Sequence, residues 1–264
     1  MQDNGREIVI SFRGVRKAFG SNLVFSSLDL DIVRGETITI MGGSGMGKSV
    51  ALKFLVGLLK PDDGEVLVLG QRVNDFNEEE WLPTRRRVSM LFQSGALFDS
   101  LNVRENIAYP LRIHFPQMTE EEISEKVAQK LTLVGLPGIE RMKPVDLSGG
   151  MKKRVGLARA IATEPEVILW DEPTTGLDPI NTSRINSLIR RMQEVLECTS
   201  VVVTHDMASA FTVSDRIAFL YDKRIVMVDT VEKVKESELP AVKNFITGRF
   251  EGLYPEDKGA DHGK

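Results

Sequence analysis

Eight residues, Gly42-Gly43-Ser44-Gly45-Met46-Gly47-Lys48-Ser49, fit the spacing G-x-x-x-x-G-K-[ST] that grips a phosphate chain. Glycines let successive backbone N–H groups curl around phosphate oxygens, and a helix start adds favourable polarity there. Lys48 is placed to reach the β- and γ-phosphates of a nucleoside triphosphate, and Ser49 to offer its hydroxyl to Mg²⁺. Far along the chain the apolar run Val167-Ile168-Leu169-Trp170 ends in Asp171-Glu172. Such a run reads as a central strand that delivers both carboxylates to its C-terminal edge, where open α/β sheets bind ligands. Asp171 is expected to hold Mg²⁺ through a water, and Glu172 to polarise the water that attacks the γ-phosphate. His205 arrives at the same edge after the strand-like run Thr199 to Thr204. Its imidazole suits a γ-phosphate oxygen or the attacking water. Each piece has a bland alternative: a glycine turn, a chance pair of acids, a surface histidine. Their convergence on one sheet edge argues for a site.

The elements that must position these groups are legible in outline. Apolar runs at Glu7 to Phe12, Leu23 to Ile32 and Glu36 to Met41 read as strands, the last ending at the glycine cluster. Helical spacing follows from Lys48 to Leu59, then a turn at Pro61-Asp62-Asp63-Gly64 and strands at Glu65 to Leu69 and Arg87 to Phe92. Between Gln93 and Asp146 helical patterns dominate. Thr119-Glu120-Glu121-Glu122 has the form of a capping box, and Ile123, Val127, Leu131 and Val134 make an apolar stripe behind it. This stretch predicts a helical lobe, about 94–160, inserted into an α/β domain. A helix from about Gly149 to Thr163 and a second after Asp178-Pro179 are expected next. Late strands at Ser200 to Val203, Ile217 to Leu220 and Ile225 to Val228 imply a mostly parallel sheet covered on both faces.

Composition narrows the classes. The 264 residues are 42% apolar and 27% charged, with net charge -4, which gives no general attraction to nucleic acid or anionic lipid. No run approaches the length of a bilayer span, and the first residues lack the basic-then-apolar layout of a secretory signal. Cys198 is the only cysteine and reads as a buried structural thiol. Arg85-Arg86-Arg87 reads as solvated or internally paired surface.

Leu147-Ser148-Gly149-Gly150-Met151 resembles the signature motif of ABC-type ATPases, normally LSGGQ, and precedes Asp171 by the family's interval. The resemblance spans roughly residues 7 to 247. It implies an α/β P-loop NTPase core of ABC ATPase type, with an N-terminal antiparallel β subdomain and the helical lobe inserted. It implies ATP and Mg²⁺ as ligands, with ATP contacts from Gly42, Gly43, Ser44, Gly45, Met46, Gly47, Lys48, Ser49 and Val50. Phe19 resembles the aromatic that stacks on adenine. Gln93 resembles the glutamine that touches Mg²⁺ beside Ser49 and Asp171 and leads toward the membrane partner. Glu172 and His205 correspond to the family's catalytic carboxylate and switch. Ser148, Gly149 and Gly150 make a second anion cradle at a helix head. In the family such a cradle serves ATP held by a second copy, and Gly176-Leu177-Asp178-Pro179 resembles the loop that crosses between copies.

Within the family, Ser89 to Phe98, Asn106 to Leu111 and Met151 resemble the Mla-type phospholipid transport ATPases, which are linked to lipid asymmetry and solvent tolerance. That resemblance implies a peripheral subunit on the cytoplasmic face of the inner membrane, working with an integral permease. It further implies a periplasmic lipid-binding subunit and a small cytoplasmic accessory protein. A C-terminal tail, 248–264, is expected to be mobile or to reach the neighbouring ATPase. Three other readings stand beside this one. Another transported solute is the first. A non-transport ABC ATPase acting on nucleic acid or ribosomes lacks the long insertions or doubled ATPase unit expected of it. A kinase or GTPase has no use for Leu147 to Met151.

Overall fold

The structure, a computed structural model, describes residues 2–3 and 5–248. In chain order the strands and helices are β1 (Gln2–Asp3), β2 (Arg6–Phe19), β3 (Asn22–Val33), β4 (Thr37–Met41), α1 (Lys48–Leu55), β5 (Asp63–Val68) and β6 (Gln71–Arg72). Then come α2 (Glu78–Arg87), β7 (Val88–Leu91), α3 (Val103–His114), α4 (Glu120–Leu133), α5 (Gly149–Ala160), β8 (Val167–Asp171) and α6 (Pro179–Leu196). The last are β9 (Thr199–Thr204), α7 (Met207–Val213), β10 (Arg216–Tyr221), β11 (Arg224–Thr230), α8 (Val231–Lys235) and α9 (Pro240–Thr247).

The central sheet runs β11-β10-β4-β9-β8-β7 and is parallel except for the β10–β11 pair. Strands β4, β8 and β9 are buried along their whole length; β8 is an unbroken apolar run, whereas the Thr–Ile alternation of β4 is buried with its hydroxyls bonded to Gln193 and Ser214. Their two faces feed separate cores. Val167 and Leu169, with Val201 and Val203, join α1 and the N-terminal antiparallel sheet of β1, β2, β3, β5 and β6. Ile168, Trp170 and Val202 point the opposite way, into a core built by α3, α4, α5 and α6. The expected helical lobe is therefore real, inserted between β7 and β8, and seated on the second face. Its capping box forms: Glu122 N donates to Thr119 Oγ1 (3.2 Å), and Thr119 N to Glu122 Oε2 (2.8 Å).

Several boundaries differ from the sequence reading. Strand β2 continues past Phe12 to Phe19, because a register shift at Gly14 (φ 56°) lets the pairing resume at Val15. Helix α1 stops at Leu55 rather than Leu59. Gly57 takes φ 72°, and a Cβ there would lie 2.4 Å from the Trp81 ring. Leu58 N then turns back to the Lys53 carbonyl. Trp81 belongs to α2, a helix absent from the sequence reading; Asn77 and Glu80 cap it reciprocally, but its charge and internal Pro83 hide the pattern. Helix α5 ends at Ala160, short of Thr163.

The arginine run is internally paired: Arg85 with Glu78, Arg87 with Glu166, and Arg86 over the Phe115 ring. Cys198 is fully buried, and burial pushes its thiol up to about 11. The expected tail contact lies, beyond Gly248, outside the described residues. Among the described residues no helix is long and apolar enough to cross a membrane.

Candidate active site

The phosphate loop links the buried β4 to α1, and its backbone tolerates only glycine at key points. Gly47 has φ 91°, and a Cβ on it would lie 2.2 Å from Val24 Cγ1. A Cβ on Gly42 would lie 2.5 Å from the Leu220 carbonyl oxygen. Val24 belongs to β3, so the hairpin that carries Phe19 near its tip is braced against the loop. The Phe19 ring is 46% exposed, with Lys17 Nζ 5.3 Å from its centroid. Ser44 and Gly45 open to solvent, Met46 packs partly on the first core, and Val50 N starts the helix by donating to Gly47 O (2.8 Å).

Lys48 is 5% exposed and donates to the carbonyls of Gly42 and Gly43, both at 2.9 Å. Its ammonium lies 3.9 Å from Glu172 Oε1. Burial pushes the Lys48 pKa down, and the charges of Glu172 and Asp171 oppose that shift.

Strands β8 and β9 pair side by side, with Asp171 opposite Val203, so both deliver side chains to one edge. Ser49 Oγ donates to Asp171 Oδ1 at 2.6 Å. Burial pushes the Asp171 carboxyl above its ordinary range; the Ser49 bond pulls it back, and Glu172 adds to the rise. Glu172 sits in the left-handed region (φ 47°), its N–H donating to Val203 O at 3.0 Å. A non-glycine residue holds that conformation only when its surroundings fix it. Its carboxylate accepts from Thr175 Oγ1 (3.0 Å) and Thr204 Oγ1 (3.4 Å), and its Oε1 lies 3.0 Å from His205 Nδ1. Gln93, exposed just after β7, lines a cleft of about 690 Å³ with Asp171, Gly149 and Thr175. Hydroxyl, carboxylate and amide oxygens are the donors that Mg²⁺ prefers, so Ser49, Asp171 and Gln93 fit the ion.

Ser148 and Gly149 are exposed at the head of α5, where Ser148 Oγ caps the helix by accepting from Met151 N (3.3 Å). Gly150 is buried beneath Asn181, whose Oδ1 would lie 3.0 Å from a Cβ at that position. Asn181 N donates in turn to Asp178 Oδ1 (2.9 Å), which heads α6. The helix head and the Asp178 loop thus form one surface. Among the described residues no hydrogen bond or ion pair joins that surface to Lys48 or Ser49. The fold gathers Lys48, Ser49, Asp171, Glu172 and His205, places Gln93 on a cleft that Asp171 and Gly149 also line, and leaves Ser148 and Gly149 exposed at the head of α5.

Residues that the sequence reading passed over complete the picture. Thr175 and Thr204 hold the Glu172 carboxylate, and Lys153 is buried beneath the loop that follows it. The available signal for Lys153 was its place on the buried stripe Gly150, Lys153, Leu157, where a lysine is out of character.

Comparison with known proteins supplies an independent measure. The family profile described as ABC transporter matches residues 25–175. The probable ribonucleotide transport ATP-binding protein mkl of Mycobacterium leprae is 42% identical over 242 residues, covering 92% of this chain and 70% of that protein. The intermembrane phospholipid transport system ATP-binding protein MlaF of Haemophilus influenzae is 40% identical over 233 residues, 88% of either chain. Among solved structures, a dimeric ATP-binding cassette in a post-hydrolysis state, bound to ADP and Pi, superposes with TM-score 0.78 at 33% identity. That match covers 84% of this chain and 98% of the other.

Proposed function

The chain belongs to the ABC transporter family of ATP-binding, ATP-hydrolysing subunits, and on that premise we propose a division of labour within its site. Phe19 stacks on adenine, and the loop from Gly42 to Ser49 cradles the phosphates. Phosphate oxygens compete with the Gly42 and Gly43 carbonyls and with Glu172 for the Lys48 ammonium. Ser49, Asp171 and Gln93 would hold Mg²⁺, which would supply positive charge against the phosphates. Glu172 accepts a proton from the attacking water, and His205, in contact with that carboxylate, keeps water and γ-phosphate in line. The observation that carries this reading is the joined cluster: Ser49 on Asp171, Glu172 on His205, and Lys48 against Glu172. Its chemistry is placement and charge stabilisation, which phosphoryl transfer demands.

The outward cradle of Ser148, Gly149 and Gly150, with Asp178 beside it, serves the ATP held by a second copy of the chain. Support comes from the lack, among the described residues, of any hydrogen bond or ion pair between it and Lys48 or Ser49, and from the dimeric relative bound to ADP and Pi. Ser148→Arg is expected to bind ATP as a monomer like the wild type. It is also expected to abolish ATP-dependent dimerisation, read by multi-angle light scattering. Dimerisation that persists unchanged would remove the trans role.

An integral permease is the partner, engaged through the segment after Gln93, and the subunit sits on the cytoplasmic face of the inner membrane. Phospholipid is the proposed cargo, moved with the help of a periplasmic lipid-binding subunit and a small cytoplasmic accessory protein. The MlaF relatives support this by matching nearly end to end, with 91% of the Escherichia coli protein covered. A second reading, a solute of another class, is favoured by the higher identity to mkl, at 42%. Purification of the complex from detergent-solubilised membranes, with mass spectrometry of what the permease holds, decides between them. Bound phospholipid supports the first; a bound nucleotide or other polar solute on the permease supports the second.

A further inference from the structure

Lys153 has no place in the division of labour above, yet it is among the most enclosed charges in the protein, 6% exposed. It rises from α5, the helix that Ser148 heads, and crosses to the loop that follows β8. There its Nζ donates to the carbonyls of Pro173 (2.8 Å) and Thr175 (2.7 Å), with the Glu172 carbonyl at 3.5 Å. Burial pushes its pKa down, and the Glu172 charge opposes that. A buried ammonium is stable only when its donors are taken, and here backbone carbonyls of a single short loop take them.

That loop sets the carboxylate. Thr175 bonds Lys153 through its carbonyl and donates from its hydroxyl to Glu172 Oε2 at 3.0 Å. Glu172 also carries the strained left-handed backbone (φ 47°) that its surroundings must hold. Lys153 Nζ, Thr175 and the Glu172 carboxylate thus form a continuous path from the helix bearing the outward cradle to the group that meets the attacking water. We propose that Lys153 is a positioning residue for ATP hydrolysis, fixing the loop at residues 173–175 so that Thr175 holds the Glu172 carboxylate in its working orientation. The inference rests on the assignment of Glu172 as the proton acceptor.

The test compares Lys153→Met, Thr175→Val and the double variant in the permease-bound complex, with Lys153→Arg as the conservative control. Lys153→Met is expected to lower kcat by roughly 10- to 100-fold, the scale of a misplaced reacting group, while KM and ATP affinity stay at the wild-type value. Thr175→Val should lower kcat as well, and the double variant should be no slower than Lys153→Met, because both act along one path. Lys153→Arg, which keeps charge and donors, should recover most of the rate. A wild-type kcat in Lys153→Met, a rise in KM matching the loss of kcat, or multiplying effects in the double variant would each overturn the proposal. Should Lys153→Met not fold, Lys153→Gln takes its place with the same criteria. Full turnover by Glu172→Gln would instead discard the assignment on which the inference rests, and is distinguishable from all of these.

Discussion

Glu172→Gln is expected to bind ATP normally and to lose steady-state turnover by about 10²- to 10⁴-fold, the usual worth of a general base. The exchange is close to isosteric. The amide carbonyl can still accept from Thr175 and Thr204, so the left-handed turn at residue 172 keeps its supports. What disappears is the ability to take a proton from water, together with a negative charge 3.9 Å from Lys48. Loss of that charge leaves the ammonium freer for phosphate, so affinity for ATP should hold or tighten. Nucleotide titration and ATPase rates, measured on the permease-bound complex, separate the two effects. Full activity in the variant would reject Glu172 as the proton acceptor.

Lys48→Ala should do the converse and remove affinity. A charged hydrogen bond to phosphate contributes about 1.5–3 kcal/mol, so ATP is expected to bind roughly 10- to 100-fold more weakly. The substitution also leaves Gly42 and Gly43 carbonyls without their donor and Glu172 without a neighbouring cation. The lysine itself is buried at a desolvation cost, which its removal relieves. These effects oppose each other, so melting should change far less than binding does. An unchanged ATP titration in the folded variant would deny the loop its phosphate-gripping role.

Much of this site was readable because its residues sit where chain direction alone puts them. Three buried parallel strands end at one edge, and anything following them, whether Gly42, Asp171 or His205, must arrive there. The covered sheet shows in the unbroken apolar run of β8, while the threonines and serine of β4 and β9 are buried with their hydroxyls hydrogen-bonded. What stayed hidden depends on contacts across distant segments. Helix α1 ends early because the Trp81 ring stands over Gly57, and α2 itself was masked by charge and by Pro83. Strand β2 runs through Arg13 to Ala18 because a bulge at Gly14 restores its pairing with β3, a register no single-strand pattern encodes. Thr175, Thr204 and Lys153 act through carbonyls and hydroxyls brought together only by folding. The solute, too, escapes the chain's own residues, and relatives of comparable identity carry different transport names.

On the proposed reading, each catalytic centre is assembled from Lys48 of one copy and Ser148 of another. Co-assembling two impaired variants, Lys48→Ala and Ser148→Arg, on the permease tests it directly through the ATPase rate of the complex. In a mixed dimer one interface pairs an intact phosphate loop with an intact cradle, while the other carries both lesions. Random co-assembly on the permease should therefore give roughly a quarter of the wild-type rate, since half of the complexes hold one copy of each variant and each of these has one sound site. A mixture as inactive as its components would show that the two cradles do not share a nucleotide.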